Sequence, residues 1–385
     1  MSEIPTLSQV LALLDQRADP ATAEDWDRVG LVVGEPTARV ATAMFAVDPC
    51  PDVIADAVAA GTDLLVTHHP LLLRGVHSIA ATSSRGRSLA ALVKADCALI
   101  TMHTNADQAP GGVNDALADA VGMASERIPL RARLESGPVR VVVHVPATHT
   151  RSVALALSDA GAGRIGHYDH CAFWVAGTGQ FQPMAGADPQ VGSVGRLEHV
   201  AEDRLEMVVP RSRLGDAVTA LRAAHPYEEP AFSVVDSVAL LSPTGLGRVG
   251  DVPATDLLTF VQQLAANLPP NDSGVRFTGD PGRQVHRVAV CGGAGDSLFE
   301  DVATAGVDVF VTSDLRHHPV SDFIADHDVA VVDIPHASGE ALWLSAWADQ
   351  LVADAAAEGL AVSAAANPRN TDPWAGHVAT VGRSS

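Results

Sequence analysis

Several histidines and carboxylates in this sequence are spaced as metal ligands would be. His68 and His69 are adjacent, His103 stands four residues before Asp107, and His336 stands four before Glu340. Each set follows an apolar run that reads as a short buried strand. Imidazole nitrogen and carboxylate oxygen together suit zinc, iron or manganese, all of which accept mixed N/O sets. Two cations held close together repel, so an anionic bridge is needed, and Asp107 or Glu340 could supply it. If helical, His336 and Glu340 lie one turn apart and can face the same way. Plainer readings exist for each group taken singly. The adjacent histidines could cap a strand, Asp107 could be a turn residue before Gly111-Gly112, and His336 with Glu340 could open a solvated helix. Position favours the metal reading. His68, His69, His103, Asp107, Ser313, Asp314, His336 and Glu340 all fall at or just past predicted strand ends, where open α/β sheets bind ligands. Other histidines, such as His144, His167, His170 and His286, read as structural or surface groups.

A second candidate is the glycine-rich stretch Cys291-Gly292-Gly293-Ala294-Gly295-Asp296-Ser297. Between a strand and a helix, Gly292, Gly293 and Gly295 would let backbone N–H groups approach an anion. The alternative is a tight packing turn. The stretch lacks the Lys-Ser/Thr ending of a P-loop and the full dinucleotide pattern. No G-x-S-x-G nucleophile elbow is present.

The elements that must position these groups alternate between strand and helix. Leu7 to Leu14 reads as a helix, Val40 to Val47 as a strand, and Pro51 to Ala60 as a helix with proline in its first turn. Leu64 to Thr67 is a strand ending at His68, Ser84 to Ala95 a helix, Ala98 to Met102 a strand and Gly112 to Ala120 a helix. This alternation predicts a mainly parallel sheet covered on both faces. From Arg131 the order becomes β-α-β-β-α-β, which fits a small ferredoxin-like module with Gly177 to Gly195 as a long loop. Pro243 to Gly250 reads as a return linker, after which the α/β rhythm resumes. The octet Ala60-Gly61-Thr62-Asp63-Leu64-Leu65-Val66-Thr67 also matches Ala305-Gly306-Val307-Asp308-Val309-Phe310-Val311-Thr312. The expected organisation is therefore a core of two related α/β halves, 1–130 and 246–385, interrupted by an inserted α+β domain at 131–245.

The totals narrow the functional classes. The chain has 385 residues and is 47% hydrophobic, so it can build large cores. Its formal net charge of −21 repels nucleic acid and anionic membranes at long range. The four cysteines, Cys50, Cys97, Cys171 and Cys291, form no C-x-x-C pair, which argues against a zinc ribbon or a disulfide scaffold. No secretory signal and no membrane span is visible, so a cytoplasmic location is expected.

Taken in order, the motifs resemble a family of hexameric proteins with a dinuclear metal centre, the NIF3-like homologues of GTP cyclohydrolase I type 2. The resemblance rests on Asp25-Trp26-Asp27-Arg28-Val29-Gly30-Leu31, Thr67-His68-His69-Pro70, and His103-Thr104-Asn105-Ala106-Asp107 followed by Gly111-Gly112-Val113-Asn114. Gly292 to Ser297, Val311-Thr312-Ser313-Asp314 and His336-Ala337-Ser338-Gly339-Glu340 complete it. Arg28 and Ser313 depart from the family's usual Asn and Gly. The insert resembles the PII/CutA-like domain of longer members, through Gly177-Thr178-Gly179-Gln180-Phe181 and His225-Pro226-Tyr227-Glu228-Glu229-Pro230. The resemblance implies two divalent ions (Zn, Fe or Mn) on His68, His69, Asp107, His336 and Glu340. It leaves His103 as a ligand, a proton relay or a group orienting Asp107, and it implies self-association as a homohexamer. The leading expectation is a metal-dependent hydrolase of a small phosphorylated or nucleotide-like molecule. A non-enzymatic metal store, regulator or scaffold is the alternative. Cyclohydrolase chemistry itself is not expected, because opening and reclosing a purine ring needs more acid–base groups than are legible here.

Overall fold

The computed structural model describes residues 3–135, 137–238 and 240–378. These divide into two compact units: residues 1–133 with 243–385 form one, and 134–242 the other. No helix among the described residues is long and apolar enough to cross a membrane.

The first part of the larger unit runs α1 (Leu7–Arg17), β1 (Gly30–Val33), β2 (Thr42–Ala46), α2 (Pro51–Ala59), β3 (Leu64–Thr67), α3 (Ser84–Lys94), β4 (Ala98–Thr101), α4 (Thr104–Gln108) and α5 (Val113–Ala120). Local chemistry sets several boundaries. A capping box between Thr6 and Gln9 starts α1, Pro51 opens α2, and the Ser83 hydroxyl accepts from the Gly86 N–H at the start of α3. Strands β3 and β4 are buried at every position, as central strands covered on both faces must be. After β5 (Arg131–Glu135) comes the smaller unit, with β6 (Val139–Pro146), α6 (Thr150–Asp159), β7 (Ala172–Phe181), β8 (Glu198–Val209), α7 (Leu214–Ala224) and β9 (Phe232–Val235). Its four strands lie in the order β7-β8-β6-β9, every neighbouring pair antiparallel. Val153 and Leu157 of α6 and Ala217 and Leu221 of α7 share one core with Val141, Val143 and Leu205 of the sheet.

The chain then continues through β10 (Leu240–Leu246), β11 (Arg248–Asp256), α8 (Leu257–Asn267), β12 (Arg276–Phe277), β13 (Gln284–Ala294), α9 (Phe299–Thr304), β14 (Val309–Ser313), α10 (His317–Asp326), β15 (Ala330–Ile334), α11 (His336–Glu340), α12 (Leu344–Ala357) and β16 (Ser363–Ala366). The larger unit holds two five-stranded sheets, ordered β1-β4-β3-β2-β16 and β11-β13-β14-β15-β12. Read from opposite ends, the two orders correspond. Strands β2, β3 and β4 run parallel in one, β13, β14 and β15 in the other, and β1 and β12 pair antiparallel with β4 and β15. The repeated octet thus delivers β3 and β14, the central strand of each sheet.

The expected parallel arrangement holds across the first sheet except at β1, whereas the second sheet adds antiparallel strands at both edges. Two expectations need correction. The stretch expected as a return linker is strand. Strands β10 and β11 are separated there by Gly247 alone, whose φ of +64° turns the chain. Likewise, β7 runs through Gly177 and Gly179 to Phe181, where a loop was expected. Gly179 faces the Glu202 carboxylate, and a Cβ there would lie 1.9 Å from Glu202 Oε2.

The halves of the larger unit exchange helices. Leu344, Trp347 and Leu351 of α12 pack with α1, Phe45 and Leu64 against the first sheet. Leu117 and Ala118 of α5, from the first half, pack with Phe260 of α8 against Val290 and Val311 of the second. Arg248 ties the same junction. Its Nε donates to Asp115 Oδ1 at 2.8 Å, and its Nη1 donates to the Gly245 and Gly247 carbonyls at 2.9 and 2.8 Å. Both side chains of this ion pair are buried, at 6% and 11% exposure. Arg127 Nε also lies 2.9 Å from Asp115 Oδ1, so the carboxylate keeps one cation when Arg248 is truncated. Arg248→Ala should therefore lose about 1.5–3 kcal/mol of stability, the scale of hydrogen bonds to a charged group, read as a lower urea midpoint.

Candidate metal centre

Three strand ends of the larger unit deliver the site. His68 and His69 follow β3, and their N–H groups extend its ladder by donating to the Ala46 and Val47 carbonyls at 3.0 and 2.9 Å. His103 follows β4 and caps α4, the single turn that carries Asp107. His336 opens α11 directly after β15 and Pro335, and Glu340 closes that turn. Glu340 is 2% exposed and His68 fully buried.

The side chains converge on Glu340. His336 Nε2 lies 3.0 Å from Glu340 Oε1, His69 Nε2 3.1 Å from Oε2, and His68 Nε2 3.4 Å from Oε1. His68 Nε2 is also 3.8 Å from Asp107 Oδ1, and His69 Nε2 is 3.3 Å from His336 Nε2. Among the described residues, two groups have ligand atoms close enough to hold an ion: His69, His336 and Glu340, and His68, His69 and His103. His69 belongs to both, whereas Asp107 stands beside His68 and belongs to neither.

The far side of every ring is fixed by a hydrogen bond. His68 Nδ1 lies 2.9 Å from the Met102 carbonyl, His69 Nδ1 2.7 Å from Asp48, His103 Nδ1 2.8 Å from Asp27, and His336 Nδ1 2.8 Å from Asp314. A carbonyl or carboxylate acceptor places the proton on Nδ1, so each neutral ring turns its Nε2 lone pair inward. Lone pairs of His69 and His336 at 3.3 Å repel unless a cation or proton lies between them. His68 Nε2, Asp107 Oδ1 and Glu340 Oε2 are, moreover, buried without a hydrogen-bond partner. Orphaned donor atoms aimed at one volume fit a metal ion, and imidazole with carboxylate is the set that zinc, iron or manganese takes.

Electrostatics agree. Burial would push the His69 and His336 imidazoles down, but Glu340, with Asp48 or Asp314 behind, overcomes it and holds them up at about 11 and about 9. Burial acts against the Glu340 carboxylate too, yet His68 and His69 keep it well below its ordinary value. Asp107 has weaker compensation, and its burial raises it to about 7. Asp27 is held below the usual carboxylate range despite burial, by His103 and Thr104.

The glycine-rich stretch lies against this centre with a packing role that the anion-binding expectation did not include. A Cβ on Gly293, at φ +71°, would sit 2.7 Å from Glu340 Oε1; one on Gly292 would meet Val113 at 2.6 Å, and one on Gly295 would meet Thr312 Oγ1 at 2.3 Å. Only glycine lets β13 pass so close. The orienting role of Asp48 went unread in the sequence, as did its contact with the Thr371 hydroxyl. The signal was there for Asp48, which follows β2 as His68 follows β3. For Thr371, in an irregular segment far along the chain, there was none.

A mixed α/β protein with paired sheets and a buried histidine–carboxylate cluster at their strand ends is the class so defined. Duf34/NIF3 (NGG1p interacting factor 3) is the family whose pattern matches residues 5–373, and the chain belongs to it. A Mycobacterium tuberculosis relative called GTP cyclohydrolase 1 type 2 homolog is 46% identical over 350 residues, 90% of this chain and 91% of that one. A Bacillus subtilis relative of the same name is 37% identical over 316 residues, 82% and 84% of the two chains. Among solved structures, a Bacillus cereus protein related to NIF3 is 32% identical with a TM-score of 0.71, covering 97% of this chain and 99% of that one. A Staphylococcus aureus protein has a TM-score of 0.81 at 27% identity, covering 96% and 98%.

Two outcomes follow from the geometry. Asp48→Asn keeps the shape behind His69 but removes the charge, and should weaken zinc binding by about 10–100-fold in competition with a chromophoric chelator. The raised imidazoles fix the pH dependence. Their contribution to the stability of chelator-treated protein is complete below about 6.5 and is lost as pH rises through about 9 for His336 and about 11 for His69. Metal displaces the same protons, so zinc affinity should climb between pH 6 and 9 with proton release in calorimetry; a flat profile contradicts the assignment.

Proposed function

We propose that the protein binds two divalent ions at this centre and hydrolyses a small phosphorylated or nucleotide-like molecule. The observation that carries the reading is the inward set of imidazole Nε2 atoms around Glu340, each ring locked from behind by its Nδ1. His69, His336 and Glu340 would hold one ion, and His68, His69 and His103, with Asp107 beside His68, would hold the other. Bound there, the ions supply Lewis acidity toward an attacked phosphoryl or carbonyl group and toward water. The chain's own part is orientation and exclusion of bulk water. Asp48 and Asp314 fix the tautomers of His69 and His336, Asp27 fixes His103, and Trp343 walls the buried His68 ring at 5.9 Å between centroids.

The name carried by the relatives does not make purine-ring opening the reaction here, for the centre offers few acid–base groups outside its ligand set. The smaller unit we assign as a ferredoxin-like insert, on its βαββαβ order and four-stranded antiparallel sheet. A homohexamer in the cytoplasm completes the proposal, in keeping with the family resemblance.

The test is a screen of metal-loaded protein against nucleotides, phosphomonoesters and cyclic amides, with metal counted per chain. The expected result is two ions per chain and a turnover that falls at least about 100-fold in His69→Ala, the scale of losing one electrostatic group at the reacting centre. No turnover above that variant's level would overturn the hydrolase reading. Delivery of bound metal to an acceptor protein without turnover would favour a metal store.

A further inference from the structure

The centre opens onto a cavity of about 1130 Å³, lined at one end by His69 and His336. Pockets for small organic ligands run to about 300–1,000 Å³, so this space exceeds what ions and their waters fill. The rest of its wall has a chemistry of its own. Trp374 lines it with an indole 71% exposed. The segment bearing that indole is fastened: Arg369 pairs with Asp56, Asn370 donates to the Pro270 carbonyl, Asp372 accepts from Asn271, and the His377 ring bonds the Asp272 carbonyl. A single exposed tryptophan on a surface needs no explanation. One carried on a fastened segment in the wall of a cavity beside a candidate metal centre offers a face to a flat ring.

Charge supplies the second element. The cavity's aspartates are each engaged: Asp48 by His69 and Thr371, Asp314 by His336, Asp333 by Arg276, and Asp372 by Asn271 and Ser273. Arg85, in the first turn of α3, also lines the cavity and has no hydrogen bond or ion pair with any described residue. In a chain of net charge −21, that leaves an exposed guanidinium without a protein partner on the cavity wall, while each lining acid already has one. The start of α3 adds its own partial positive charge. Ser88, one turn along and 5% exposed, lines the same wall.

We infer that this cavity is a nucleotide subsite, with Trp374 stacking on the heterocyclic base and Arg85 binding a phosphate. The inference rests on the hydrolase reading and names its substrate class. Ring and anion are recognised on the wall, which leaves the remaining part of the molecule to face His69 and His336.

The test is calorimetric titration of the metal-loaded full chain with adenosine 5′-monophosphate and with ribose 5-phosphate, which differ by the base alone. Stacking one base on an aromatic side chain should make the nucleotide bind about tenfold or more tightly. Trp374→Ala should remove that advantage and leave ribose 5-phosphate unchanged. Arg85→Ala should weaken both by about tenfold, the scale of a lost charged hydrogen bond. Equal affinity for the two probes, no binding of either, or an advantage that survives Trp374→Ala would each overturn the subsite. The two readings fail separately. A nucleotide that binds through Trp374 without turning over sinks the hydrolase alone, and turnover of a phosphoester indifferent to Trp374 and Arg85 sinks the subsite alone.

Discussion

Burying a carboxylate away from water is costly unless opposite charge or donors meet it, and Glu340 is buried almost completely. What meets it comes from the other end of the chain. His68 and His69 belong to the first sheet, Glu340 and His336 to the second, and the contact between His69 and His336 spans 267 residues of sequence. The two sheets must therefore be held with their strand ends together, and that requirement organises the larger unit. Exchange of α5 and α12 between the halves answers it, because each helix fills the core of the sheet it did not follow in sequence. Neither sheet can shift without opening a core on the far side. The pair formed by Arg248 and Asp115 locks the same junction.

The internal repeat acquires meaning from this arrangement. The repeated octets run into strands β3 and β14, and the two residues after each octet differ: His68-His69 in one copy, Ser313-Asp314 in the other. Where the first copy presents imidazoles to the centre, the second presents a carboxylate that turns His336 toward it. Asp314 holds a φ of +57°, a region that aspartate tolerates better than most side chains. The one-turn helices α4 and α11, at equivalent places after β4 and β15, carry Asp107 and Glu340. One scaffold used twice thus builds an asymmetric site: the first half brings His68, His69, His103 and Asp107 with the orienting Asp27 and Asp48, and the second brings His336 and Glu340 with the orienting Asp314.

Much of the fold was legible because buried parallel strands are short unbroken apolar runs, and Leu64–Thr67 and Val309–Ser313 are visible as such. The residues that gather at the centre were legible for a related reason: histidine is uncommon enough, and strand ends few enough, that their coincidence stands out. Legibility failed where glycine and proline serve packing. Gly177 and Gly179 look like loop residues but are strand positions, the second cleared for the Glu202 side chain, and Pro243 and Gly247 look like a linker but belong to and join two strands. It failed again for the orienting groups. Asp48 stands at a strand end as the histidines do, but its role depends on β2 lying beside β3, which brings it behind His69.

The same groups explain why a cation belongs at this centre. Asp27, Asp48, Asp107, Asp314 and Glu340 place five carboxylates around His68, His69, His103 and His336. With protons alone to balance them, the cluster must hold His69 and His336 charged far above their ordinary range and lift Asp107 to about 7. All three shifts run upward and share one cause: too much negative charge in too little solvent. A divalent ion held here would take the place of imidazolium protons and give the orphaned His68, Asp107 and Glu340 atoms a partner. Because the ligand atoms come together only when both sheets are in place, binding of such an ion would be linked to the integrity of the larger unit.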